Sequence, residues 1–328
     1  MAGTNFSSGL YSMGVPVFGA GVPLTFGKVF FVDQDNGVDS DGADSGRSIE
    51  RAFKTISWAY GKCTTNKDDV IVLSSNAGHS QTAMLTLDKN RVHFVAANFY
   101  PRANTQRSRI TMANTTAATD LAQVKITGSY HTFEGIKFDQ SNTNANLLHG
   151  VVVGGEGNIF INCSFSNRAN LTTANRADLV EQGTSSRYID CEIGQDSSIS
   201  SRAGPLLMDA SVGALAVSTS PEFVNCKFVG WKSADVAFVT IVAATDLYGY
   251  CQMERPIFIQ KIAEGTGATI TDVFNPPASI TNGILIMRDP VAVNFTNLAS
   301  AAGAGNAGIY VIGPVPTAAT SGLPVQAA

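Results

Sequence analysis

Charge is scarce in this chain of 328 residues: only 15% are Asp, Glu, Lys or Arg, and the formal net charge is −4. There is no arginine run and no basic stripe, so the electrostatic footprint of a nucleic-acid binder is missing. No uninterrupted apolar run reaches membrane-spanning length, which argues against a membrane partner. Met1 to Leu10 lacks the basic and apolar regions of a cleavable leader. The expectation is a protein that stays where it is made, or leaves by a route that reads no signal. The five cysteines form no C-x-x-C pair, and His79, His93, His131 and His149 are scattered without H-x-x-x-H spacing. Zinc, redox and Ser/His/Asp chemistry therefore lack their patterns. Two tryptophans and 9% aromatics are thin for stacking on sugars.

What the chain does have is a phrase that recurs. Gly135-Ile136-Lys137-Phe138, Asn162-Cys163-Ser164-Phe165, Asp190-Cys191-Glu192-Ile193 and Asn225-Cys226-Lys227-Phe228 are variants of one unit. Each follows an apolar residue two places upstream: Phe133, Phe160, Tyr188 or Phe223. Offsets of 27, 28 and 35 residues separate them, which is the period of a solenoid. The alternation reads each unit as one short strand, with Ile136, Cys163, Cys191 and Cys226 in one inward ladder. Phe138, Phe165, Ile193 and Phe228 make a second ladder. Cysteines at one phase of the repeat read as buried free thiols, leaving Cys63 and Cys251 outside it. A second recurring strand is expected at 92–95, 124–128 and 151–155, and the stretch from Gln195 to Pro221 is expected to protrude from one face.

The fold class expected is all-β: a right-handed parallel β-helix solenoid with an N-terminal capping helix and extended terminal segments. Four zones follow. Residues 1–27 are a Gly/Pro-broken arm, and up to residue 32 only Lys28 is charged. Residues 28–75 hold a strand, an Asp/Gly loop and one helix, read as about Ser48 to Tyr60 with Ser48 as N-cap and Gly61 as stop. Residues 76–264 form the coils. Residues 265–328 are an Ala/Gly-rich segment in which only Asp272, Arg288 and Asp289 are charged, with one strand-like run at 308–313. Both low-charge ends read as material that orders against another surface.

Candidate acids near the turns are Asp139, Asp178, Glu181, Asp190, Glu192, Asp196 and Asp209, and candidate bases are Arg176, Arg187 and Arg202. None sits in a recognisable catalytic motif, so no catalytic, cofactor or metal residue is assigned. Asp190 and Glu192 flank Cys191, which places both on the outer face; they could act as a pair, but an exposed, solvated face is the favoured reading. Asp33, Asp35, Asp39, Asp41 and Asp44 crowd one loop with Gly37 and Gly42, in the manner of hard oxygen ligands for calcium, without the EF-hand spacing. Acidic loops of this kind are also common as solvated turns. Trp231, Tyr248 and Tyr250, near Asp235 and Asp246, are the residues available to line a sugar groove.

The run from Val29 to Asp33, through Asn36-Gly37 and Asp39 to Ala52-Phe53-Lys54-Thr55-Ile56, resembles the opening of right-handed β-helix proteins of the pectate-lyase-like group. The Asn-Cys-Ser-Phe and Asn-Cys-Lys-Phe phrases are similar to their turn repeats. The low-charge flanks look more like structural proteins of tailed-phage particles: tailspikes, head fibres and capsid decorations. That second resemblance implies a non-enzymatic virion protein, a homotrimeric capsid decoration (cement) or head fibre, meeting the major capsid protein or other virion proteins. It would be made in the host cytoplasm and leave by particle assembly and lysis. The alternative is a tailspike-like β-helix that binds or cleaves host-surface glycan, as a polysaccharide lyase or hydrolase. No cofactor is implied.

Overall fold

The computed structural model describes residues 27–75, 78–97, 108–113, 122–142, 147–168, 176–201, 204–212, 220–261, 270–277, 280–299 and 308–315, plus the backbone of a small hairpin at 11–12 and 15–16. The expected 1–27 arm lies otherwise outside the described residues. Three parallel sheets of ten, eight and eight strands run the length of the body, each strand bonded to the equivalent one a coil away. This is the right-handed parallel β-helix expected from the repeat. One coil shows the pattern: Thr132–Glu134 in the first sheet, Lys137–Gln140 in the second, His149–Val153 in the third, then Ile159–Ile161 back in the first.

The recurring phrase is a corner, not one strand. Its first residue takes a left-handed conformation, with φ of 70° at Gly135, 50° at Asn162, 53° at Asp190 and 54° at Asn225. That region favours Gly and Asn, which explains their place at the head of the phrase. The aromatic residue two places upstream then belongs to the first sheet and the one at the end of the phrase to the second. Two further corners, Arg255-Pro256 and Asp289-Pro290, continue the series with φ of 49° and 48°. Sequence reading missed them because proline stands where cysteine does elsewhere.

Both inward ladders are present. In the first sheet Phe94, Phe133, Phe160, Tyr188 and Phe223 stack nearly parallel at 4.7 to 4.9 Å between ring centroids. That spacing is the inter-strand distance, so the sheet itself sets the stack. The second-sheet rings meet these edge-on, Phe160 and Phe165 being 5.4 Å apart at 69°. All five cysteines are buried and free. Cys163, Cys191 and Cys226 each donate a thiol hydrogen bond, at 3.4 Å, to the carbonyl of Phe133, Phe160 and Tyr188 respectively. A small apolar residue with a weak donor fits this corner, and burial pushes the Cys163 and Cys191 thiols well up.

Four expectations are corrected. The single helix is split into a 3-10 turn at Ile49–Arg51 and α1 at Ile56–Lys62. Phe53 breaks it by docking as a bridge on the first strand, its N–H donating to Phe31 O at 2.8 Å. Thr55, not Ser48, caps α1, and Gly61 lies inside it. Second, Val92–Ala96 belongs to the first sheet, whereas Ala122–Ile126 and His149–Val153 belong to the third; both sheets carry an apolar strand ending near a polar turn. Third, part of the stretch after Gln195 is built into the coil, through Glu192–Ser200 and Leu206–Met208, with a bulge between Gln195 and Ser200, while 202–203 and 213–219 lie outside the described residues. Fourth, the sheets continue past residue 264 to Ile309–Ile312. Inward residues Phe274, Leu285, Met287 and Phe295 there are as buried as those of the body, and Ile309 and Val311 on the last strand are half-buried.

Candidate functional site

The three sheets differ on their outer faces. On the third sheet Val152, Val180 and Leu207 are outward yet buried, so that face is covered. On the first sheet Val29, Phe31, Val70, Val72 and Val95 are covered in the same way near the N-terminal end. The second sheet instead shows a row of polar side chains, because Arg109, Lys137, Ser164, Glu192 and Lys227 occupy one register column. Two residues on, Thr111, Asp139, Ser166 and Gly194 form the next column. Apart from Thr111 and Lys227, these residues line, with Arg168, Gln195, Asp196 and Ser197, a groove of about 170 Å³. Typical small-molecule sites start at ~300 Å³, so this groove is shallow.

Asp139 is its centre, with a side chain only 1% exposed. Arg168 grips it with both nitrogens at 2.8 Å, Arg109 approaches at 3.5 Å, and the Ser166 hydroxyl donates at 3.3 Å. Glu192, the other acid on this face, pairs with Lys227 at 3.3 Å. Register puts the two acids two strands and two residues apart, roughly 10 Å or more between backbones. Each acid therefore faces a cation and not the other acid. These ion pairs, the Asp139–Arg168 one bidentate, tie neighbouring coils together and engage two of the three acids that line the groove, leaving Asp196, exposed at the rim, outside them. Sequence reading named Asp139 and missed Arg109 and Arg168; their near-equal spacing at coil period is the signal that would have found them.

The other candidate acids do not converge on this groove, apart from Asp196 at its rim. Asp190 sits exposed at its left-handed corner and accepts from Asn225 Nδ2 at 3.1 Å, so of the two readings the Asp190/Glu192 pair does not form. A corner rotates the chain between these residues, which defeats simple alternation. Asp178 is buried and accepts from the Asn167 N–H. Asp209 folds back on Ser211, accepting from its N–H and hydroxyl at 2.8 and 2.6 Å. Arg176 is buried and donates to Leu147 O at 2.6 Å, Arg187 pairs with Glu222 at 2.9 Å, and Arg202 lies outside the described residues.

Glu181 is inside the core. It occupies the inward third-sheet column held by Ile126, Val153, Met208 and Ile241 in other coils. Its carboxylate accepts from the Tyr188 hydroxyl, from Ser186 Oγ at 3.2 Å and from Gly183 N–H at 2.6 Å. Tyr188 is the one hydroxylated ring in the five-ring stack, so two polar exceptions to the ladders meet each other. This is an internal bond between coils, closed to substrate.

The acidic loop divides its carboxylates among separate tasks. Asp33 accepts from the N–H groups of Asp35 and Asn36, which outweighs the upward push of burial and holds its carboxyl below the usual range. Asp39 accepts from Lys54 N–H at 2.8 Å and Thr55 N–H at 3.0 Å, fixing the start of α1. Asp41 pairs with Lys62 and Asp44 with Arg51. Among the described residues no group of three or more His, Cys, Asp or Glu is placed to hold a metal ion.

The histidines are dispersed as well. His79 contacts Ser74 O, His93 contacts Asp68, and His149 Nδ1 accepts from Ala177 N–H. Buried His131 contacts Val92 O at 2.7 Å, and burial lowers its pKa to about 4. Nor do the aromatics meet in one groove. Trp231 lies on a second-sheet strand with Lys261 Nζ 4.5 Å over its ring, while Tyr250 lies on a first-sheet strand. Asp235 accepts from Thr271 N–H, and Asp246 from Ala243 and Ala210 N–H, so both acids bind backbone. No helix among the described residues is long and apolar enough to cross a membrane.

Comparison with known proteins adds the fold and little else. No protein-family model matches the chain, and no curated protein matches it in sequence. Among solved structures it is similar to a pectin methylesterase from Aspergillus niger, with a TM-score of 0.54, 14% identity, and coverage of 92% of this chain and 90% of that one. It is also similar to pectin methylesterase PemA from Erwinia chrysanthemi (TM-score 0.55, 13% identity, 91% and 93% covered). A third is pectate lyase Pel9A (TM-score 0.54, 13% identity, 89% and 77% covered). Identities this low show a shared parallel β-helix and leave activity open.

Proposed function

We propose that this β-helix is a non-enzymatic structural protein of a bacteriophage particle, a homotrimeric capsid decoration or head fibre at the particle surface. The observation that carries the non-enzymatic part is the state of the outer groove. Its buried acid is held by two arginines and its second acid by a lysine, so that Asp196, exposed at the rim, is the one lining acid outside these pairs and has no second unpaired carboxylate facing it in the groove. A catalytic carboxylate must be free to take or give a proton at a substrate atom, and ion pairs of this kind oppose that. Low-charge flanking segments at both ends, and apolar side chains exposed on the last coils, support assembly into a larger body.

A second reading has one specific support. Along the polar row from Arg109 to Glu192 the side chains of Arg109, Lys137 and Glu192 are at least partly exposed at an open groove, so it offers hydrogen-bond donors and acceptors to a host-surface glycan. Passive binding needs no free acid, and this reading is compatible with a tailspike role. Gold-labelled antibody on source particles tests the assignment. Regular label over the heads is the expected result. Label only at the tail tip would favour the spike, and particles without label would overturn the virion reading.

A further inference from the structure

The outer faces change character along the rod. In the second sheet the first outward column reads Arg109, Lys137, Ser164, Glu192, Lys227 and then Ile257 and Val291. The next outward column reads Thr111, Asp139, Ser166, Gly194 and then Val229, Ile259 and Val293. Ile257 and Val291 are exposed at 38% and 48%, with Ile259 and Val293 half-buried beside them. Strands lie about 4.8 Å apart and alternate residues about 6.6 Å, so these four make one compact aliphatic square. Around the corner, Tyr310 and Ile312 are exposed at 57% and 50% on the last strand of the first sheet, next to Ile286. Together they expose apolar surface on the order of a few hundred Å², the scale that marks an interaction face on a soluble protein.

The two ends of the rod are also finished differently. At the N-terminal end the edge strand Val29–Val32 is bonded by its own loop, through Gly46 O and Phe53, with α1 packed under it. At the other end the three edge strands, Val291–Val293, Phe295–Ala299 and Ile309–Ile312, contain no charged residue. Charges on edges are the usual defence against unwanted pairing, and here they are missing where the surface is most apolar.

We infer that this C-terminal face, centred on Ile257, Val291 and Tyr310, is where copies of this chain meet one another. The choice of a like partner follows from its charge pattern. The apolar centre carries no charge, and its rim carries both signs: Glu254 and Asp289 beside Arg255, Arg288 and Lys227. A rim of mixed sign can answer itself, each cation meeting an anion of the next copy, as a symmetric interface requires. A face for a strongly charged partner would carry one sign. The inference rests on the structural reading for its setting, and it adds the surface by which the oligomer is built.

The test uses the full chain. Sedimentation velocity across a concentration series is run on the wild type and on Val291→Lys, Ile257→Lys and the control Val38→Lys, whose side chain is 66% exposed in the N-terminal loop. The expected result is a discrete oligomer that dissociates on dilution, with each C-terminal variant weakening association by roughly tenfold or more and the control leaving it unchanged. Hydrogen exchange on the undisturbed wild type supplies an independent reading. Amides of Ile257–Gln260 and Val291–Val293 should gain protection with concentration while those of Lys137–Gln140 do not. A chain that stays monomeric at all attainable concentrations overturns the inference, as does an oligomer indifferent to both Val291→Lys and Ile257→Lys. A self-associating chain that labels no particle keeps this face and removes the virion reading, whereas a labelled particle with a monomeric chain does the reverse.

Discussion

Replacing Tyr188 with phenylalanine should be destabilising in the wild type and stabilising once Glu181 is methionine. The ring itself is well placed, between Phe160 at 4.8 Å and Phe223 at 4.7 Å, so Tyr188→Phe preserves the stack. What it removes is the hydroxyl donor to Glu181, a fully buried carboxylate. A hydrogen bond to a charged group is worth ~1.5–3 kcal/mol, which sets the expected loss. In a chain of this size each kcal/mol moves Tm by about 2 °C. Glu181→Met alone restores the aliphatic column with Val153 and Met208 but leaves the Tyr188 hydroxyl buried without an acceptor, at a cost of ~1–3 kcal/mol. In that background Tyr188→Phe removes the orphaned hydroxyl, and stability should rise by about 1 kcal/mol. Urea denaturation of the four proteins, followed by near-ultraviolet circular dichroism, measures the cycle. Two single losses that simply add would refute the argument that these residues form one unit.

Other outcomes follow from the same geometry. His131 has a folded pKa of about 4 against 6.5 unfolded, so its contribution is complete above pH 6.5 and is lost as pH falls toward 4. The loss should reach ~3 kcal/mol by pH 4, with His79 and His93, also lowered by burial, adding in the same direction; His131→Gln should flatten the Tm-against-pH curve in that window. Arg168→Ala leaves the buried Asp139 with only the longer Arg109 contact and the Ser166 hydroxyl and should cost ~3 kcal/mol or more, read by chemical denaturation. Asn162→Ala forces a residue with a Cβ into φ of 50° and should cost ~1–2 kcal/mol, whereas Asn162→Gly should be near neutral. A thiol reagent at pH 8 should find none of the five cysteines in the folded protein and all five in denaturant, since they are buried and the Cys63 thiol is pushed up to about 12.

The architecture was legible because the repeat carries it. Phe133, Phe160, Tyr188 and Phe223 return at coil period and alternate with outward residues, and that is all a parallel β-helix needs to declare itself. What alternation could not show was the corner inside the phrase. A left-handed residue turns the chain between Phe160 and Phe165, so alternation alone reads the phrase as one strand and leaves an Asp190/Glu192 pair open that the corner prevents. The helix was misplaced for a related reason: Phe53 has helical spacing to Ile49 and Ile56, but tertiary docking on Phe31 overrode it. Most of the Asp33–Asp44 carboxylates bind backbone or nearby cations, partners that composition does not reveal. Glu181 stands among the candidate acids near the turns because nothing local marks it as buried; its partner Tyr188 is visible only as the odd ring in the stack.

The central claim is that the outward charges of the second sheet bind coil to coil and perform no chemistry. Its most direct test is to incubate the purified protein with pectin, polygalacturonate and host-surface polysaccharide, and to follow reducing ends, unsaturated uronate and released methanol against an Asp139→Ala control. The account predicts no release above the control on any substrate. Turnover that the wild type shows and Asp139→Ala abolishes, with the variant still folded, would contradict it.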